Sequence, residues 1–241
     1  MFRLEVDDRV LHLTLDRPDK RNAILPSELK RLRDELLEYA EDQALCAVVV
    51  RGQGPFFCAG YDLNAIPPQP ADDGRMVGEL DDLVSCLANF PAPTLALVQG
   101  GAFGAGFELA LACDLRLSTH TARWCMPPAK LGLLYSLGGM CRLQRAVGEQ
   151  RARYLLMTAE VITGQTAATW GLVLESLDSD DRLAQRGDEI VETLRQVNAL
   201  SARSAKILLQ SAEPQLEPVL VGRSEALRAE LFASAELPPK R

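Results

Sequence analysis

The stretch GGAFGAGFELALACD, Gly100 to Asp114, places one carboxyl group, Glu108, in a run otherwise made of glycine and apolar residues. It follows PTLALVQG, an apolar run of strand character. A strand that enters glycines and then a helix presents backbone N–H groups at the helix start. Those first-turn amides have no partner within the helix, and the helix dipole adds positive potential there. Such a place holds an anion, or an oxygen that becomes one. The phosphate-binding patterns fail here: GAGFEL has Leu109 where a dinucleotide fingerprint needs its third glycine, and no Gly-Lys-Ser/Thr follows. The other use of such amides is an oxyanion hole for a carbonyl turning into an enolate. Glu108 favours that use, because an adjacent carboxylate weakens a phosphate site, whereas enolate chemistry needs an acid–base group. Burial among its FELALA neighbours is expected to raise its pKa toward the range useful for proton transfer. The competing role is structural, a glutamate that closes a cap or pairs with a distant arginine.

The elements that must position this acid are legible from pattern. FRLEV and VLHLTL alternate at strand period around DDR and predict a hairpin. From Pro26 and Ser27 an amphipathic helix is expected, with Leu29, Leu32 and Leu36 on one face. LCAVVVRG predicts a buried strand. It is followed by a turn-rich loop, GQGPFFCAGYDL, and by NAIPPQPADDG, whose prolines and acids mark an exposed segment. Helical spacing resumes from Met76 to Phe90, PTLALVQG and DLRLS read as strands, and RWCMPPAKLGLLYSLGG reads as a loop-rich stretch with prolines and glycines. From Gly148 onward the pattern is almost wholly helical. Strands alternating with helices, then a helical tail, predict an α/β core with an α-helical extension.

Composition narrows the function classes. A chain of 241 residues, 47% hydrophobic, can bury a sizeable core, and with a net charge of −7 a nucleic-acid or anionic-membrane partner would need a local basic patch, so neither is expected. The densest basic run, RPDKR at Arg17 to Arg21, is long enough for one phosphate only. No stretch approaches the ~20 apolar residues of a membrane span. The MFRLEVDD start has charge where a secretory signal would have its apolar core, so a cytoplasmic location is expected. Cys46, Cys58, Cys86, Cys113, Cys125 and Cys141 form no Cys-x-x-Cys pair and are expected to be buried free thiols. His12 and His120 lie in unrelated segments without ligand spacing, so no metal is expected. His12 is placed on an outward-facing strand position.

RPDKRNAI, GPFFCAGYDL, VQGGAFGAGFELALACDLRL, PAKLGL, GG and ITGQTAATWGLV occur in an order and spacing that resembles the enoyl-CoA hydratase/isomerase (crotonase) superfamily, over almost the whole chain. The resemblance implies an α/β crotonase-like spiral of ββα units over residues 1–190, with residues 191–241 as a C-terminal helical region used for oligomerisation. It implies an acyl-CoA thioester as substrate, coenzyme A entering only as part of that substrate, no other cofactor, and a homotrimer or hexamer. Carried over by position, the backbone amides of Tyr61 and Ala105 would form the oxyanion hole. The Ala59 carbonyl would meet the adenine and Arg21 the CoA phosphates. Asp62 and Asp114 match family positions and are read as caps or turn contacts.

The pattern also departs from that family. Hydratases carry a second glutamate after the proline in Pro-Glu-x-x-Leu-Gly; this chain reads PPAKLG and has Pro128 there, with Ala129 and Lys130 unable to substitute. WCMPPAKLGLLYSLGG is similar to the methylmalonyl-CoA decarboxylase branch, which lacks that glutamate and has a tyrosine where Tyr135 falls, although that branch tends to have histidine at Tyr61. The resemblance therefore implies decarboxylation of a malonyl-type thioester, with Glu108 and Tyr135 as catalytic residues and Leu133 and Leu134 as a poorly solvating wall. A hydratase or isomerase of unusual site composition and a non-catalytic acyl-CoA-binding protein are the alternatives. The chain ends at PPKR, short of the family's usual last helix.

Overall fold

The N-terminal hairpin forms as expected. β1 (Phe2–Asp7) and β2 (Val10–Leu15) pair antiparallel through Asp8 and Arg9, both at left-handed φ (38° and 64°), the two-residue turn that suits strand twist. The structure, a computed structural model, describes residues 2–65, 75–211 and 217–234. After a short turn of 3₁₀ helix at Pro26–Glu28, α1 (Leu29–Ala40) buries Leu29, Leu32 and Leu36, the face its spacing predicts. β3 (Ala47–Gly52), α2 (Arg75–Ala88) and β4 (Thr94–Val98) follow, then β5 (Gly101–Phe103) and α3 (Ala105–Ala112). Next come β6 (Leu115–Thr119), β7 (Arg123–Cys125), the single turn α4 (Pro128–Leu131), α5 (Leu137–Val147) and α6 (Glu149–Thr158). The chain continues through β8 (Ile162–Thr163), α7 (Gly164–Thr169), β9 (Glu175–Leu177), α8 (Asp180–Gln196), α9 (Ala199–Ser211) and α10 (Pro218–Ser234).

The large sheet has the order β1-β2-β3-β4-β6-β9, parallel except for the hairpin, and a small sheet has the order β5-β7-β8. Strand alternation decides which residues meet which layer. Leu11, Leu13 and Leu15 enter the main core with α1, α2 and α3. Val10, Val49, Leu95, Leu97 and Leu117 face the other way, onto Leu183 and Val191 of α8. The α/β expectation holds, and both faces of the sheet are covered, as parallel strands require.

Four local expectations need correction. RWCMPPAKLGLLYSLGG contains a strand, β7, and the C-terminal part contains β8 and β9, the latter closing the edge of the large sheet. Strands of two or three residues carry too little pattern to be seen in sequence; their neighbours create them. His12 does not face solvent. It is half-buried on the side covered by α8, near Asp188 and Arg195, where burial holds its pKa below the ordinary value. Residue 190, the expected end of the core, lies inside α8, whose Leu183, Gly187 and Val191 are buried. The exposed reading of NAIPPQPADDG falls mostly on residues 66–74, outside the described residues.

α9 is attached by polar anchors. Arg203 donates to the carbonyls of Asp42, Gln43 and Leu45, and Lys206 donates to the Ala92 carbonyl and pairs with Asp114 at 2.7 Å. Its Leu200, Leu208 and Leu209 remain exposed. The six cysteines are free thiols; Cys46, Cys58, Cys113 and Cys125 are buried, whereas Cys86 and Cys141 are only partly so. Among the described residues no helix is long and apolar enough to cross a membrane.

Candidate active site

Two backbone segments run side by side. Cys58 donates its N–H to the Gly101 carbonyl and accepts from Phe103 N–H at 2.9 Å, which lays residues 58–61 along residues 102–105. The approach is close enough to require glycine. Gly60 has φ +88°, and a Cβ there would stand 2.7 Å from the Phe103 carbonyl oxygen and 3.5 Å from the Ala105 nitrogen. On its other side the same segment is fastened to the stretch between β2 and α1: Ala59 N–H donates to the Arg21 carbonyl, Ile24 N–H to the Gly60 carbonyl, and Asp62 N–H to the Ile24 carbonyl. Tyr61 and Ala105 thereby meet on the wall of one pocket. Ala105 is the first residue of α3, where helix amides lack intrahelical acceptors.

Glu108 lies one turn further along α3 and is 2% exposed. Burial pushes its carboxyl up from an ordinary 4.5 to about 8, and the negative charge of Asp81 adds to the effect; Arg142, Arg228 and the Ser136 hydroxyl oppose it. The acid is therefore largely protonated at neutral pH. Its Oε1 has no hydrogen-bond partner among the described residues. Room for it comes from Gly139, where a Cβ would lie 2.3 Å from that oxygen. Ser136, whose hydroxyl accepts from Gly139 N–H at 2.9 Å, caps α5 and holds this turn beside the carboxyl.

Tyr135 is buried, and its hydroxyl likewise has no partner among the described residues. A Cβ on Gly104 would be 3.8 Å from that hydroxyl, so it sits beside the start of α3. Burial, then the nearness of Glu108, raises the pKa of Tyr135 well above the ordinary value, and of Tyr61 likewise. Both phenols stay protonated, and both can donate.

Ala59, Tyr61, Ala105, Glu108 and Tyr135 line a single pocket of about 160 Å³. Pro128, Leu133 and Leu134 form part of its apolar wall. Glu108 is the one acid among the described residues that line it. Lys130 is turned away, donating to the Ala159 carbonyl and tying α4 to α6. Arg21 does not line the pocket. Its side chain is exposed, with the guanidinium 6.0 Å from the centre of the Phe56 ring, while its carbonyl holds Ala59. Asp62 and Asp114 are structural: Asp62 pairs with Arg17 at 3.0 Å and accepts from Asn64 N–H, and Asp114 accepts from Thr94 N–H and its hydroxyl.

Sequence reasoning missed four contributors. Ser136 and Gly139 lie within the quoted GG region but reveal their part only once α5 is packed against α3. Arg228 and Phe232 of α10 close the pocket from far along the chain. No local signal marks them.

The arrangement offers a helix-terminal amide, a largely protonated carboxyl group and two phenols in an apolar pocket. It can stabilise a developing oxyanion and deliver a proton to the carbon beside it. A family profile described as Enoyl-CoA hydratase/isomerase matches residues 5–236. The chain is 35% identical to the 2,3-dehydroadipyl-CoA hydratase of Escherichia coli (strain K12) over 233 residues, 95% of this chain and 85% of that protein. It is 33% identical to the mitochondrial methylglutaconyl-CoA hydratase of Mus musculus over 188 residues, 77% of this chain and 59% of that one. A crystal structure of an enoyl-CoA hydratase from Mycobacterium avium subsp. paratuberculosis K-10 superposes with a TM-score of 0.86 at 26% identity, covering 96% of this chain and 93% of the other.

Proposed function

This chain belongs to the enoyl-CoA hydratase/isomerase (crotonase) family, and from that premise we propose that it decarboxylates a malonyl-type acyl-CoA thioester. The observation that carries this reading is the single acid among the described residues that line the pocket: Glu108 is largely protonated at neutral pH, and Pro128 stands where a second acid would activate water. In the proposed reaction the thioester carbonyl oxygen accepts from the Tyr61 and Ala105 amides. The bond from the α-carbon to the carboxylate breaks, its electron pair forms the enolate, and carbon dioxide leaves. Glu108 then gives its proton to the α-carbon and is reprotonated from solvent. No base is required, and no cofactor beyond the coenzyme A of the substrate. Tyr135 orients the departing carboxylate by a hydrogen bond from its hydroxyl, and Leu133 and Leu134 keep that charge poorly solvated, which favours its transfer to the enolate. Arg21 approaches the CoA phosphates and the Ala59 carbonyl the adenine. Assembly as a trimer or hexamer through the C-terminal helices, residues 191–241, is supported by the exposed leucines of α9.

A second reading, hydration of an enoyl thioester, is favoured by the identity with 2,3-dehydroadipyl-CoA hydratase. It would require one carboxyl group to place and activate the water. A panel of malonyl-, methylmalonyl-, ethylmalonyl- and crotonyl-CoA, followed by product mass, separates the two. Loss of carbon dioxide from at least one malonyl-type thioester is expected. Water addition to crotonyl-CoA with no decarboxylation anywhere would overturn the first reading. Binding of all four without turnover would leave a non-catalytic acyl-CoA-binding protein.

A further inference from the structure

We infer that two buried side-chain amides, Asn22 and Gln99, are positioning residues: together they clamp the turn that follows β3 and so aim the Tyr61 amide at the reacting carbonyl oxygen. The inference deepens the oxyanion-hole reading above, on which it rests, and holds for either reaction. The turn runs from Gly52 to Phe56 and leads into residues 58–61; its Gln53, Gly54 and Pro55 are exposed. Two side chains take carbonyls along it. Asn22 Nδ2 donates to the carbonyls of Gln53 at 3.0 Å and Phe56 at 2.6 Å, and Gln99 Nε2 donates to those of Gly52 at 2.7 Å and Gly54 at 2.9 Å. Asn22 is 1% exposed, and its Oδ1 accepts from Arg17 N–H at 2.9 Å. Its backbone is left-handed, φ 56°, a conformation asparagine tolerates better than most residues. The fit is close: a Cβ on Gly52 would lie 2.7 Å from Nδ2.

The clamp matters because of where its two halves lead. Asn22 belongs to the stretch that fastens residues 59–62, through the Arg21 carbonyl and both backbone groups of Ile24. The Gln99 carbonyl accepts from Phe57 N–H, and its chain runs on through Gly100 into β5 and Ala105, the other donor. The turn is therefore tied to both sides of the site at once. Ile24 pairs with Tyr61 as a parallel bridge, bonding the Gly60 carbonyl and the Asp62 amide. In such a bridge the central residue turns its own N–H away from the partner strand, so the Tyr61 N–H is directed away from Ile24. An oxyanion donor is effective only when it is already aimed where charge develops. An exposed turn containing glycine would wander without a fixed frame, and the two buried amides supply it.

The test uses the full chain and acetyl-CoA isotopically labelled at the thioester carbonyl, a ligand that neither reaction consumes. In wild type the infrared band of the bound carbonyl should lie below that of free acetyl-CoA, because the two backbone amides polarise it. N22G accepts the left-handed backbone but loses the side-chain bonds, and Q99M removes the other donor at similar length. Each should lose at least about half of that displacement and lower kcat by about 10- to 100-fold on the thioester that wild type turns over. Affinity for acetyl-CoA should change by less than about threefold, since the donors act chiefly on the transition state. A full displacement kept in either folded variant, or a fall in kcat that the unfolded fraction alone accounts for, overturns the Asn22–Gln99 inference and leaves the oxyanion-hole reading in place. Should one variant fail to fold, the other decides; failure of both would make the pair structural and overturn the inference. If acetyl-CoA does not bind wild type, or binds with its carbonyl band unmoved, the oxyanion-hole reading falls, and this inference with it.

Discussion

Glu108 and Asp114 stand at opposite ends of α3, one in its first turn and the other just past its last, and they have been treated in opposite ways. Asp114 accepts from the Thr94 amide and hydroxyl and pairs with Lys206 at 2.7 Å, so it ties β4, α3 and α9 together. Glu108 is more deeply buried, faces no cation close enough for an ion pair among the described residues, and keeps one oxygen without a partner. A folded chain leaves a buried polar atom unsatisfied at a cost. The contrast teaches that the ion-paired acid stabilises the fold, while the one with an unsatisfied oxygen is held at a cost in stability and is available for chemistry.

Exchanging the two roles by mutation tests that contrast. The largest effect is expected for E108Q, where turnover should fall by about 10²- to 10⁴-fold, as for loss of a positioned general acid. The same variant should gain stability. With the folded pKa near 8 and the unfolded one near 4.5, folding of the wild type takes up a proton between those pH values, so the stability it retains falls as pH rises through that window. The melting temperature of E108Q should therefore exceed that of wild type by a margin that widens from pH 5 to pH 8; a margin that narrows would mean Glu108 is ionised in the fold. Because Glu108 acts as an acid, wild-type turnover should also decline as pH passes about 8.

D114A should do the reverse. It leaves the buried Lys206 ammonium without its carboxylate, for a loss of about 2–3 kcal/mol in denaturant unfolding, less than a fully buried pair would lose because Asp114 stays 29% exposed. Its turnover should stay within about twofold of wild type, as a site away from the pocket implies. Y135F is the smallest. Loss of one hydrogen bond to a carboxylate predicts about a tenfold fall in kcat/KM. Stability should be unchanged or slightly higher, because the hydroxyl removed has no partner among the described residues. A matched fall in melting temperature would show that Tyr135 only packs the pocket.

Much of the fold could be read before any coordinates, where a pattern is long and one-sided. α1 shows its Leu29, Leu32 and Leu36 face, β3 and β4 are mostly apolar runs, and α3 is apolar but for Glu108 and buried all round. Residues 58–61 and 102–105 were singled out as site segments through resemblance, and they prove to be neighbours by way of Gly60. β8 and β9 were missed because a two- or three-residue strand is made by the strand it joins. His12 was misread because the cover on its side of the sheet, α8, comes late in the chain.

Resemblance to the family marks Pro128 as its second acid position; the sequence by itself determined that this is an α/β chain with a glycine turn feeding a buried helix, and that this helix carries one acid. Those are local facts: residue type, spacing and apolar period. The tertiary structure alone decided that Glu108 has no ion-pair partner among the described residues, that Gly139 makes room for its carboxyl, and that Arg228, more than a hundred residues away in the chain, lines its pocket. A carboxyl group's pKa and partners depend on which surfaces are brought against it, and folding brings them together from segments that carry no mark of one another.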